Sequence, residues 1–448
     1  MDTTAIFKAY DVRGTYPDQI DERVARAVGS AFASFAKVSR IVIARDMRPS
    51  GVNLCEAFAD GARAVGTQVV DLGLASTDFL YFASGHLDAP GAMFTASHNP
   101  AKYNGIKMCL AGAKPIGVES GLVAIEEMTK AFYESPAEGP LASLTSVDLM
   151  DAWVKHVHSF VDLASLRPLK IVCDTANGMG GFVAPKVFAD LPFEVEILFE
   201  ELDGTFPNHP ADPLNPDNIR DLQRRVLETG ADIGLAFDGD ADRVFLVDEK
   251  AQPVSGSTTT AMVAVAMLKR NPGATILYNL ICSKAVPEVI KEAGGVPVRT
   301  RVGHSYIKQV MAETNAVFGG EHSGHYYYRD NFRADSGIIT ALIVLELMGQ
   351  TGAKLSELSE PLERYADSGE INTHVANPAA TVAAVAAALK EKGVSVDELD
   401  GITADYGTWW FNLRPSNTEP LLRLNVEAAD SQACQQRVQE VLAMIKGA

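Results

Sequence analysis

The sequence predicts an α/β protein made of three similar units and closed by a smaller α+β unit. Three observations carry that prediction. The chain has 448 residues, more than a single hydrophobic core usually organises. Its first three quarters repeat one local pattern three times: a β-branched run, a small-residue turn beginning at Asp or Asn, then a helical stretch. Its last part changes to strand, polar turn, strand and helix.

The elements follow in order. RIVIA (40–44) reads as a buried strand, followed by a polar turn at 46–51 and a helical stretch around 53–65. LKIVC (169–173) leads through DTANGMGG into a second helix, and ATILYNL (274–280) leads through 282–284 into a third at 285–293. Each opening predicts a mixed, mostly parallel sheet flanked by helices. After 364–371 the chain turns Ala-rich (ANPAATVAAVAAALKEKG), then gives GTWWFNLR, a polar turn, LLRLNVEA and a final helix near 431–445. Linkers near 145, 250 and 365 divide the chain into 1–145, 146–249, 250–365 and 366–448.

Composition excludes several classes. With 47% apolar and 21% charged residues the chain is not disordered. The longest nearly apolar stretch, 338–348, is broken by Glu346 and is too short to span a bilayer. The first residues hold charges and no apolar core of signal-peptide length. Five scattered cysteines fit reduced, buried thiols. A cytoplasmic protein without membrane partners, monomer or dimer, is expected. The balance of 39 basic against 57 acidic residues, net −18, disfavours nucleic-acid binding. A small anionic substrate would need a local cluster of Arg and Lys.

Four segments carry chemistry. TASHNP (95–100) follows an apolar run, and Ser97 among turn-forming residues can project a hydroxyl into a cleft or simply form a turn. DGDADR (238–243) joins two apolar runs. Three carboxylates at alternate positions repel one another by roughly 4 kcal/mol per pair at ~4 Å and an effective dielectric of ~20, which a divalent cation relieves. An EF-hand loop is the rival metal reading, but Arg243 stands where its turn needs Gly; a solvated acidic turn is the other alternative. GGEHSGH (319–325) offers Glu321, Ser323 and His325 to sugar hydroxyls, or is a structural turn. RPSNTEP (414–420) is either a polar hairpin or a phosphate cradle of Arg414, Ser416, Asn417 and Thr418. KAYDVRG (8–14) and VGHSY (302–306) are weaker signals.

In this order, one per unit, the four motifs resemble the α-D-phosphohexomutase family, within it the bacterial phosphomannomutase/phosphoglucomutase branch, from Lys8 to about Arg423. The resemblance implies four domains around a central cleft, the fourth TATA-binding-protein-like, and a phosphorylated hexose as substrate. It implies a phosphoserine at Ser97, Mg²⁺ held by Ser97, Asp238, Asp240 and Asp242, and a hexose 1,6-bisphosphate as intermediate and activator. Arg13, His98, Lys107, Arg243 and His304 would complete the catalytic set, Lys107 and His304 being candidates for proton transfer. Tyr10, Glu321, Ser323, His325, Arg414, Ser416, Asn417 and Thr418 would bind substrate. Ile281 stands where some relatives carry Lys, with Lys284 the nearest replacement. The nearest alternative is a phosphoglucosamine mutase, whose motifs usually read Glu-Gln-Ser and carry Gly at the position of Asn417. More distant ones are a Mg²⁺-dependent sugar phosphatase and a calcium- or sugar-binding protein without catalysis.

Overall fold

The computed structural model describes residues 3–416 and 421–447. Each of its four sheets belongs to one stretch of chain, and the first three share a core order. In the first sheet Gln68–Leu74, Arg40–Arg45, Gly91–Phe94 and Tyr103–Leu110 lie side by side. The second repeats this with Phe193–Leu198, Leu169–Asp174, Ile233–Phe237 and Val244–Asp248. The third has Val296–Thr300, Thr275–Asn279, Phe318–Gly320 and Tyr326–Tyr328. Each time the first of the four strands in the chain lies between the second and third, parallel to both, and the fourth returns antiparallel beside the third.

That topology decides where chemistry is placed. Parallel strands end at one edge of their sheet, and ligands bind outside the carboxyl ends of such strands. The hairpin from third to fourth strand turns at that edge in every unit. It carries TASHNP in the first sheet, DGDADR in the second and EHSGH in the third. The three motifs thus occupy one structural position three times over.

Edges extend these cores. Val12–Thr15 pairs with Tyr103–Leu110, and Leu144–Ser146 adds to Gln68–Leu74. Pro253–Val254 pairs with Val244–Asp248, so the second sheet includes residues beyond 249. The fourth sheet is antiparallel throughout, in the order Ala366–His374, Leu421–Ala428, Trp409–Pro415, Ile402–Asp405, Val396–Asp397. Helices Pro378–Glu391 and Ser431–Gly447 pack on one face of it and enclose a separate core.

The largest core runs through the first three units, from Val42 and Phe79 through Trp153 and Leu235 to Leu342. Helix Gly337–Thr351 lies within it, buried from Gly337 to Met348. Its one charge, Glu346, ion-pairs with Arg270 and accepts the Asp162 N–H at 2.7 Å, as a buried carboxylate must. Among the described residues no single helix is long and apolar enough to cross a membrane. All five cysteines are buried and unbridged.

Candidate active site

Ser97 turns at the head of its hairpin with φ +49°, a left-handed conformation uncommon outside glycine. Its N–H is taken by the Thr95 hydroxyl at 2.9 Å, and its Oγ donates to Asp238 Oδ2 at 2.7 Å. Gly239 makes that approach possible: a Cβ there would lie 2.3 Å from the Ser97 carbonyl oxygen. The TASHNP and DGDADR hairpins therefore meet both side chain to side chain and backbone to backbone.

Asp238, Asp240 and Asp242 are fully buried and present carboxylate oxygens within 4.8 Å of one another. Among the described residues Asp240 Oδ1 and Asp242 Oδ1 have no hydrogen-bond partner. Burial, with the neighbouring carboxylates, raises Asp238 to about 8 against the pull of Arg243, and burial and Asp240 likewise raise Asp242. Asp240 is buried too, but Lys107 and Thr77 hold it well below the usual range. A hard-oxygen donor set with orphaned buried oxygens fits a divalent cation such as Mg²⁺.

Cations surround this seat. Lys107 Nζ donates to Asp240 Oδ2 at 2.7 Å and Asp242 Oδ2 at 2.8 Å; these outweigh its burial and raise its pKa well above normal. Arg243 Nε donates to Asp238 Oδ2 at 2.9 Å, and its Nη2 to His98 Nδ1 at 2.6 Å. Arg243, burial and Arg13 drive the His98 pKa far down, so the ring is neutral with its proton on Nε2. Arg13 Nη1 donates to Asn99 Oδ1 at 2.7 Å. His98 and Asn99 line a cleft of about 1100 Å³ shared with Lys8, Tyr10, Arg414 and Arg423.

Of the remaining expected residues, Tyr10 and Arg414 line that cleft. Glu321 is buried and accepts from the Gly303 N–H at 3.1 Å, Asn279 at 3.3 Å and Tyr327 at 2.7 Å. His325 bridges two hairpins: Nε2 lies 3.8 Å from Asp242 and Nδ1 3.2 Å from the Ser323 hydroxyl. Tyr10 packs edge-on against Tyr306 beside Val302, its hydroxyl pushed up to about 12 by burial. His304 opens helix His304–Thr314, and its side chain lies outside the description. Arg414 pairs with Glu370 at 2.7 Å. Ser416 continues its strand through an N–H to the Leu421 carbonyl, while Asn417 and Thr418 lie outside the described residues. Lys284 Nζ donates to the Gly407 carbonyl at 2.8 Å and so is tied to the fourth unit.

Two participants escaped the sequence reading. Arg423 sits directly across the strand pair from Arg414 and shares Glu370 with it. Pairing the two strands around the RPSNTEP turn would have found it. Arg48 lies behind the Ser97 hairpin, where an ordinary polar turn was expected.

A serine on a left-handed hairpin turn, beside an acidic cation seat and next to residues that line a cationic cleft, is an arrangement suited to phosphoryl transfer on an α/β scaffold. Four family models agree: those for the phosphoglucomutase/phosphomannomutase α/β/α domains I, II and III match residues 4–134, 151–252 and 255–365, and that for its C-terminal domain matches 370–444. The chain belongs to the phosphoglucomutase/phosphomannomutase family. It is 40% identical to a phosphohexose mutase of Xanthomonas campestris pv. campestris, covering 99% of this chain and 100% of that one. It is 38% identical to the phosphomannomutase of Escherichia coli K12, covering 96% of each. The crystal structure of a phosphoglucomutase/phosphomannomutase family protein from Burkholderia thailandensis superposes with a TM-score of 0.92 at 32% identity, covering 100% of this chain and 98% of the other.

Proposed function

We propose that the chain is a phosphohexomutase, interconverting hexose 6-phosphate and hexose 1-phosphate of mannose or glucose through a phosphoserine at Ser97 and a hexose 1,6-bisphosphate. One arrangement carries the reading: the Ser97 hydroxyl lies 2.7 Å from Asp238 in the buried Asp238–Asp242 seat, and the cleft lined by its neighbours His98 and Asn99 is lined also by Arg414 and Arg423 of the fourth unit.

A single fixed donor cannot reach O1 and O6 of one hexose at once. The sugar must bind in two orientations, its non-reacting phosphate held each time by the same cations. Arg414 and Arg423 suit that role, since Glu370 orients both while the Nε of each is buried without a hydrogen-bond partner among the described residues. Asp238, Asp240 and Asp242, with an oxygen of the serine-borne phosphoryl group, would hold Mg²⁺. When bound, Mg²⁺ supplies positive charge against the charge that builds on the transferring group. Lys107 enters protonated and serves as donor and counter-charge. His98, fixed by Arg243, presents a neutral N–H. Glu321, held by three protein donors, with Ser323 and His325 forms the sugar-reading wall.

Ser97→Ala tests this. The variant should lose mutase turnover and the added ~80 Da of one phosphoryl group in its intact mass. Turnover equal to wild type would refute the role of Ser97. Assays on mannose, glucose and glucosamine 6-phosphates separate the sugar readings.

A further inference from the structure

Arg48 is fully buried, and burial pulls its guanidinium pKa down. A cation in such a place persists only when its donors are matched. Four of its five N–H donors are matched by one segment of chain, while Nε makes no hydrogen bond among the described residues and faces Asp46. Nη1 donates to the carbonyls of Pro100 at 3.0 Å and Tyr103 at 2.9 Å; Nη2 donates to those of Ser97 at 2.9 Å and Asn99 at 2.6 Å. Asp46 pairs with Nε at 3.2 Å, and the Phe206 ring lies 5.1 Å from Cζ. A Cβ on Gly204 would stand 2.6 Å from the Arg48 Cα, so the second unit closes over this arginine.

All four carbonyls belong to residues 97–103, and one of them is that of Ser97, whose φ of +49° needs outside support. We propose that Arg48 is a positioning residue: its planar fork gathers the backbone of the Ser97 hairpin and holds the serine oxygen in line for phosphoryl transfer. The proposal rests on the phosphoserine reading above. Lys cannot replace the fork, because a compact ammonium does not present two parallel pairs of donors in one plane. Arg48 is itself a residue of neither the cation seat nor the cleft lining, and it reaches the lining residues Asn99 and Tyr103 only at their backbone carbonyls, so its loss acts chiefly on kcat and leaves the phosphate-holding arginines in place.

The test is Arg48→Lys in the full chain, pre-phosphorylated with hexose 1,6-bisphosphate and checked by intact mass. Amide exchange across 97–105 should accelerate while other segments match wild type. kcat should fall on the order of 10- to 100-fold, as expected for a misplaced reacting group, with KM near its wild-type value. Phosphate released per isomerisation should rise, since a loosened phosphoserine is more open to water. Unchanged exchange across 97–105 overturns the clamp, and wild-type kcat, or a loss confined to KM, overturns its role in transfer. If the Lys variant does not fold, the isosteric Asp46→Asn, which removes the charge holding Nε, is judged by the same criteria. Retention of turnover by Ser97→Ala would sink the phosphoserine reading itself, whereas exchange across 97–105 reports on the clamp independently of it.

Discussion

Protons and a divalent cation compete for the Asp238–Asp242 seat, and the competition has a calculable size. Burial and two neighbouring carboxylates raise Asp238 to about 8, Arg243 opposing. A carboxyl group must shed its proton to ligate a metal, so each pH unit below that value weakens binding tenfold. Between pH 9 and pH 6 the affinity for Mg²⁺ should fall on the order of 100-fold, equivalent to about 2.7 kcal/mol. Asp242, raised for the same reasons, steepens the fall. Linkage adds a second readout. A carboxyl whose folded pKa exceeds its unfolded value stabilises the metal-free fold at low pH, and that contribution is lost as pH rises through about 8. The gain in Tm from Mg²⁺ should therefore grow from pH 6 to pH 9. Calorimetric titration of Mg²⁺ at four pH values, in buffers of different ionisation enthalpy, measures affinity and released protons together. Asp238→Asn should bind weakly and with a flatter pH profile. An affinity constant from pH 6 to 9 in the wild-type chain, with no proton released, would refute the reasoning.

Other outcomes follow from the same geometry. Arg414→Ala and Arg423→Ala should each raise KM for the hexose phosphate with a smaller change in kcat. A charge-assisted bond to phosphate is worth about 1.5–3 kcal/mol, roughly 10- to 150-fold in kcat/KM; a kcat effect without a KM effect would contradict the phosphate-holding role. Asp78 is buried between the Ser76 and Ser336 hydroxyls, the second donating at 2.6 Å, and burial raises it to about 7. It joins helix Thr77–His86 to the start of helix Gly337–Thr351. Its stabilising contribution, at most about 4 kcal/mol, is present below pH 4 and lost as pH rises through 7. Asp78→Asn should flatten the decline in Tm between pH 5 and 8 of the Mg²⁺-saturated protein; an unchanged slope would count against that assignment.

Much of this was legible because each functional loop is a hairpin between apolar strands, and apolar runs around a polar turn are visible in one dimension. RIVIA, LKIVC and ATILYNL became strands, as expected, each the first of the four core strands of its unit, and the paired strands of the fourth fell where GTWWFNLR and LLRLNVEA placed them. What the residues alone did not disclose was the shared strand order that makes the three hairpins equivalent, since strand pairing depends on contacts distant in sequence. Ala366–His374 escaped notice because an edge strand of the fourth sheet, ADSGEINTH, has almost no apolar alternation. Arg48 was hidden for the opposite reason. Arginine in a polar turn is read as solvated, and only the folded chain shows four carbonyls converging on it.

The charge distribution now reconciles an acidic chain with an anionic substrate. The net charge of −18 repels polyanions at long range, yet Lys8, Arg13, Arg414 and Arg423 face one cleft, and Lys107 and Arg243 stand just behind it. Lys107 and Arg243 are taken up by the three carboxylates of the Asp238–Asp242 seat, Arg13 is shared with Asp11, and Arg414 and Arg423 share the single carboxylate of Glu370. The positive charge left for phosphate therefore lies chiefly with Lys8 and with the surplus of the two strand-paired arginines over Glu370. A small dianion deep in the cleft feels these cations through protein, whereas a long polyanion meets the screened exterior first. Binding should thus weaken only modestly with added salt, unlike the steep salt dependence of a surface-bound polyanion, and the ionic-strength dependence of KM measures that difference directly.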